Sequence, residues 1–102
     1  MQIPKSYKVG GQKIEVRMVE RCTDECLGQA HLDEGYVEVA DLYDRDSHQS
    51  EDSKYNTYLH ELVHTILQTM GEVELNKSEK FVCSFSSFLC EALTSAEYDK
   101  VG

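Results

Sequence analysis

Basic residues are scarce in this chain. Ten Lys and Arg stand against nineteen Asp and Glu, a net charge of −9. Nonspecific nucleic-acid binding needs cationic side chains to neutralise phosphates, so that class is excluded. An anionic membrane surface is excluded for the same reason. Long apolar runs are missing as well. None approaches the roughly 20 residues of a transmembrane helix. The opening stretch, MQIPKSYKV, lacks the apolar segment of a secretory signal. The four cysteines, Cys22, Cys26, Cys83 and Cys90, are therefore expected to stay reduced in a cytoplasmic protein. They also lack the closely paired knuckles of an all-cysteine zinc site, because Cys83 and Cys90 stand seven apart. Small buried or half-buried thiols are the expected role. There is no repeat, no low-complexity tract, no interdomain linker and no calcium loop of the D-x-D-x-D-G type.

What remains is one small domain spanning residues 1–102. Hydrophobic residues make up 40% and charged ones 28%, a folded composition. A chain of this size buries only about 60–70% of its unfolded surface, so a bound metal would add useful stability.

The first half reads as strands. Ser6 to Val9, Gly10-Gly11 and Gln12 to Glu20 make a hairpin with a two-residue glycine turn. Ile14, Val16 and Met18 alternate with Lys13, Glu15 and Arg17, as a half-buried strand requires. A second hairpin is expected from Gln29 to Leu32, through Asp33-Glu34-Gly35, to Tyr36–Ala40. Asp41 to Ser53 reads as a solvated acidic loop, and His31 and His48 as ordinary surface or loop histidines.

The second half reads as two helices. Asp52 or Ser53 is expected to cap the first. Its apolar stripe is Tyr55, Tyr58, Leu59, Leu62, Val63, Ile66, Leu67 and Met70, and Gly71 stands where a helix-ending glycine belongs. Gly71 to Lys77 reads as a short connection, with Asn76 or Ser78 capping the second helix. The stripe of that helix is Phe81, Val82, Phe85, Phe88, Leu89, Ala92, Leu93 and Ala96, with the three phenylalanines expected in the core. The expected fold is thus α+β: two antiparallel hairpins packed on two helices.

The first helix carries His60-Glu61-Leu62-Val63-His64, an H-E-x-x-H. Residues four apart on a helix lie about 40° apart and one turn along the axis, so both imidazoles can reach one ion. Glu61 lies about 100° around from His60, placed to act on a water without ligating the metal. Zinc at such a site lowers the pKa of a water from 15.7 to roughly 7, and the carboxylate takes its proton. With four His and twelve Glu in the chain, chance supplies such a match about twice in a hundred. Here His60, His64, Thr57 and Glu61 all fall on the flank away from the apolar stripe, a division that chance need not respect.

Catalytic zinc takes three protein ligands and keeps one position open. Glu72 and Glu74 would have to fold straight back, and Glu91 lies three turns too far along. Glu79, in the first turn of the second helix, is the preferred third ligand. A plainer role, an acid favoured by the helix dipole, stays open for it.

The stretches LHELVHTIL (Leu59 to Leu67) and EKFVCSFSSFL (Glu79 to Leu89) resemble the gluzincin metallopeptidases, and by length their minimal members, the minigluzincins, as well as small zinc-peptidase-like proteins of bacteria and phages. Order and spacing match over most of the chain, and the specific motifs run from about Tyr55 to Leu89. The resemblance implies zinc on His60, His64 and Glu79, with Glu61 as general base and acid. It also implies a peptide or protein substrate, pairing in extended form with a strand beside the cleft. Tyr36 to Asp41 is the expected edge. Two departures stand out. Larger gluzincins place an acid four residues after the ligating glutamate, to support a zinc histidine; here that residue is Cys83. They also carry a C-terminal subdomain that helps clamp substrate and stabilise the oxyanion. Only Tyr98 offers itself for that role. The expected activity is therefore zinc-dependent peptide hydrolysis, with a catalytically silent zinc-binding regulatory or interaction domain as the alternative.

Overall fold

The computed structural model describes residues 2–22, 27–42 and 47–99. Cys26, and with it the Cys22–Cys26 spacing, lies outside the described residues, as does part of the acidic loop. The elements are β1 (Ser6–Val9), β2 (Gln12–Val19), β3 (Gly28–His31), β4 (Tyr36–Ala40), α1 (Glu51–Met70), α2 (Val73–Lys77) and α3 (Glu79–Ser95). A single 3-10 turn, Leu32–Glu34, joins β3 to β4. The class is α+β, as expected.

Both hairpins form. Gly10 and Gly11 take φ of 60° and 82°, the left-handed pair that a tight β1–β2 turn demands. The two hairpins are not separate, however. They join in one mixed sheet of order β1-β2-β4-β3, in which β2 and β4 run parallel. β4 is the reason. Val37 through Ala40 are all buried, a run that belongs in the middle of a sheet and not at its margin. This corrects the expected edge: Tyr36 to Asp41 holds an interior strand, β4, paired on both sides, and among the described strands the sheet ends on β1 and β3.

One face of the sheet packs on α1. Val39 joins Tyr55, Tyr58 and Leu59 in a buried cluster, with Tyr7 and Val16 against it. Tyr7 also stands edge-on to Tyr58, and its hydroxyl meets Thr65 Oγ1 at 2.8 Å. Further along α1, Val63 and Leu67 pack on Val82 of α3, with Phe81 alongside. The result is three layers, with α1 in the middle.

That position explains a second correction. α3 is an outer layer and has one face to bury. Val82 and Ser86 are buried, and Leu89, Cys90 and Leu93 are half-buried. Phe85 and Phe88 lie on the outer side, 51% and 71% exposed. Phe81 alone of the three touches the core.

The helix ends follow local rules. Ser50 caps α1, accepting from the Ser53 amide at 3.1 Å, so Asp52 and Ser53 lie inside the first turn and not at the cap. Gly71 ends α1 with φ of 77°. Ser78 caps α3 by accepting from the Phe81 amide at 3.2 Å. The connection expected between the helices is itself one short helix, α2. Before α1, the chain is pinned by Asp41, which accepts from Lys54 Nζ at 2.9 Å and pairs with His48 Nδ1 at 2.7 Å. Among the described residues, no helix is long and apolar enough to cross a membrane.

The layering makes a contrast testable. Leu59→Ala leaves a hole between sheet and helix and is expected to lower unfolding free energy by about 2–5 kcal/mol. Phe88→Ala removes a larger side chain from the open side of α3 and is expected to cost less than about 1 kcal/mol. Urea denaturation of both variants checks the order; an equal loss would contradict the layering.

Candidate metal centre

α1 buries one flank and turns the other toward a cleft of about 910 Å³, lined by β3, by the middle of α1, by Asn76 and by Glu79. His60 and His64 stand on that flank one turn apart, with ring centroids 4.9 Å from each other. Both are half-buried. After Gly71 the chain turns, passes through α2 and starts α3 beside the two rings. Glu79, the first residue of α3, reaches back to them.

The contacts are specific. His64 Nε2 lies 3.3 Å from Glu79 Oε1, and His60 Nε2 lies 3.5 Å from Glu79 Oε2. Both rings turn Nε2 toward the carboxylate, and an amide oxygen can only accept, so the His64 ring proton belongs on Nδ1. His64 Nδ1 donates to Asn76 Oδ1 at 2.6 Å. That hydrogen bond fixes the ring's tautomer and its orientation. His60 Nδ1 faces Cys83 Sγ at 3.9 Å.

Glu61 is buried, only 4% exposed, against the start of β3. The strand comes so close that a Cβ on Gly28 would stand 2.5 Å from Thr57 Cγ2 and 3.3 Å from Glu61 Cγ. A side chain there would have to displace Thr57. Ligand atoms of His60, Glu61 and His64 fall within 4.8 Å of one another, and so do those of His60, Glu79 and Cys83. Burial pushes the Glu61 carboxyl up to about 7, and the negative Glu79 adds to the rise while His64 opposes it. Burial also lowers His60, and the neighbouring His64 acts in the same sense. Neutral imidazoles are the form that binds a metal.

The four residues singled out from the sequence therefore meet at one place: His60, Glu61 and His64 from α1, Glu79 from α3. Of the other acids considered, Glu72 and Glu74 are exposed at the start of α2, and Glu91 lines a separate depression with Asp52 and Cys90. Tyr98 lies exposed beyond α3 and does not line the cleft. Three contributors are additional. Asn76 supports His64 where a helix cap was expected. Cys83 stands behind His60. His31, read as an ordinary surface histidine, lies on β3 in the cleft wall, with Nε2 at 2.7 Å from Glu38 Oε1 and its ring stacked on Tyr36. Strand pairing across the Gly35 turn, His31 opposite Tyr36, was the available signal for His31. No family model, curated protein or solved structure matches this chain.

A buried carboxyl raised to about 7 has a stability signature. The folded chain holds a proton that the unfolded chain releases near 4.5, so Glu61 makes stability fall as pH rises from about 4.5 to 7. Glu61→Gln imitates the protonated form at every pH. In chelator, this variant is expected to exceed the native chain in unfolding free energy by about 1–3 kcal/mol at pH 8, and to match it near pH 4.5. Denaturant melts at the two pH values measure the gap; a gap that is constant with pH would contradict the assignment.

Proposed function

We propose that this chain is a zinc-dependent peptidase of minimal gluzincin type, with zinc held by His60, His64 and Glu79. One observation carries the reading: the Glu79 carboxylate reaches across from α3 to both imidazoles. A tetrahedral ion with bonds of about 2.0–2.1 Å separates its ligand atoms by about 3.3–3.4 Å. Glu79 Oε1 stands 3.3 Å from His64 Nε2 and Glu79 Oε2 stands 3.5 Å from His60 Nε2, each the separation of two ligand atoms on one ion. Asn76 behind His64 supplies the kind of outer partner that ligating histidines require. Two neutral imidazoles and a carboxylate suit zinc better than a hard cation such as calcium.

Zinc bound there would supply a Lewis acid and a water that is acidic near neutral pH. Glu61 would take the water's proton on its carboxylate and deliver it to the leaving amine. Its burial supports that role, because a base whose pKa lies near 7 both accepts and returns a proton at neutral pH. β3 lines the cleft and, among the described strands, pairs on one side only, so its free edge can take an extended peptide. β3 replaces Tyr36 to Asp41 in that role.

A second reading is a zinc-stabilised interaction domain without turnover. The outward Phe85 and Phe88 favour it, since neighbouring exposed apolar side chains are the kind of patch that a partner surface covers.

Purified without chelator, the native chain is expected to carry about one zinc, and His60→Ala, His64→Ala and Glu79→Ala well below that. Glu61→Gln keeps the metal and loses peptide cleavage by about 10²–10⁴-fold. Elemental analysis and a peptide-library digest read both quantities. Zinc below about 0.2 per native chain overturns the metal site, set against the single-site stoichiometry of three fixed ligands. Full zinc with no cleavage by either form selects the interaction domain.

A further inference from the structure

The two imidazoles are supported unequally. His64 Nδ1 has a short partner in Asn76, at 2.6 Å. His60 Nδ1 has Cys83 Sγ, at 3.9 Å. The same sulfur lies 4.0 Å from Glu79 Oε2, with the thiol as donor. One thiol thus touches two of the three proposed ligands and uses a different capacity toward each. With zinc on Nε2 the His60 ring proton would sit on Nδ1 and the sulfur lone pair would receive it, while the S–H donates to the carboxylate. A thiol, like a hydroxyl, offers both roles, though it is weak in each.

Helix geometry explains the placement. Glu79 and Cys83 are four apart on α3, one turn above each other on one face. That face looks across at His60 on α1. Cys83 is exposed and belongs to neither core cluster, so packing gives no account of it. Its contacts are with the ligands.

We propose that Cys83 is the positioning residue of this site, holding the His60 ring and the Glu79 carboxylate together, so that the state of its sulfur controls metal affinity. The inference rests on His60, His64 and Glu79 being the zinc ligands. It makes the site sensitive to thiol-capping electrophiles. With iodoacetamide, an S–C bond forms, the C–I bond breaks, iodide leaves and the thiol proton passes to solvent. The capped sulfur has no proton for Glu79 and carries added bulk beside His60.

The test is zinc affinity of the full chain, by competition with a chromophoric chelator, for the native protein, Cys83→Ala, Cys83→Ser and His60→Ala. Cys83→Ala is expected to bind zinc about 10–100-fold more weakly, the usual effect of losing an outer partner. Cys83→Ser keeps a donor and an acceptor and is expected to recover most of that loss. Metal-free melting of both variants stays at the native value, because the side chain is exposed. Cobalt(II) in place of zinc shows no sulfur-to-cobalt charge-transfer band, since the sulfur stays outside the coordination shell. Native affinity in Cys83→Ala overturns the proposal, and so does a serine variant as weak as the alanine one. A sulfur-to-cobalt band that Cys83→Ser abolishes also overturns it, by making the thiol a ligand. A native chain that binds zinc no better than His60→Ala overturns the parent reading together with this one.

Discussion

The burial of α1 on two sides governs where everything else can stand. Tyr55, Tyr58 and Leu59 meet the sheet, while Val63 and Leu67 meet α3. Each such side chain contributes about 1.5–3 kcal/mol through the water it leaves, so rolling the helix by even one position would be costly. A helix with a fixed roll has a fixed remaining flank. His60 and His64 occupy that flank, and their spacing along it is set by backbone hydrogen bonds and not by any contact between them. The rigidity of the cleft is borrowed from the core.

Electrostatics then decide what the cleft accommodates. The chain is acidic overall, and the cleft concentrates the feature: Glu61 and Glu79 lie close enough that Glu79 raises the proton affinity of Glu61. Two carboxylates beside a His60 ring whose charging is opposed by burial leave negative charge with little relief. A proton on Glu61 is one relief, and a cation between the rings and Glu79 is another. The two differ in what they leave free. The proton occupies Glu61, whereas a cation leaves that carboxylate charged and available as a base. The same burial that makes Glu61 costly in the folded chain is what brings its proton affinity near neutrality.

Much of this was legible in the sequence, and the reason is locality. The Gly10-Gly11 turn, the α1 stripe, Gly71 and the H-E-x-x-H spacing are set by neighbours a few residues away, and each has a period or a cap that declares it. Pairing between hairpins is not local. Nothing in Tyr36–Ala40 says which strand lies on its second side; Glu38 keeps the look of alternation, while burial of all of Val37 to Ala40 appears only once β2 closes over the strand. The same limit applies to α3. Its phenylalanines satisfy a helical period, but the period does not tell which of two adjoining stripes will be covered. Val82 packs on Val63 and Leu67 and Ser86 is buried, whereas Phe85 and Phe88 stay on the outer side.

The outer partners of the histidines show the same boundary inside the site. His60 and His64 are paired with each other by helical geometry, so one recognises them together. Their Nδ1 partners lie 23 and 12 residues downstream, on two different elements. Asn76 looked like a cap because asparagine before a helix so often is one. Ser78 fills that role, which leaves the Asn76 amide oxygen for His64. The turn at Gly71 is what makes the exchange possible: it sends α2 back along α1, so that its end passes the His64 ring before α3 begins. The ligand set and its support therefore come from one reversal of the chain. Lengthening α2 by a residue would rotate Asn76 by about 100° away from the ring and shift the start of α3 with it, so second helix, third ligand and outer partner have to be placed as a unit.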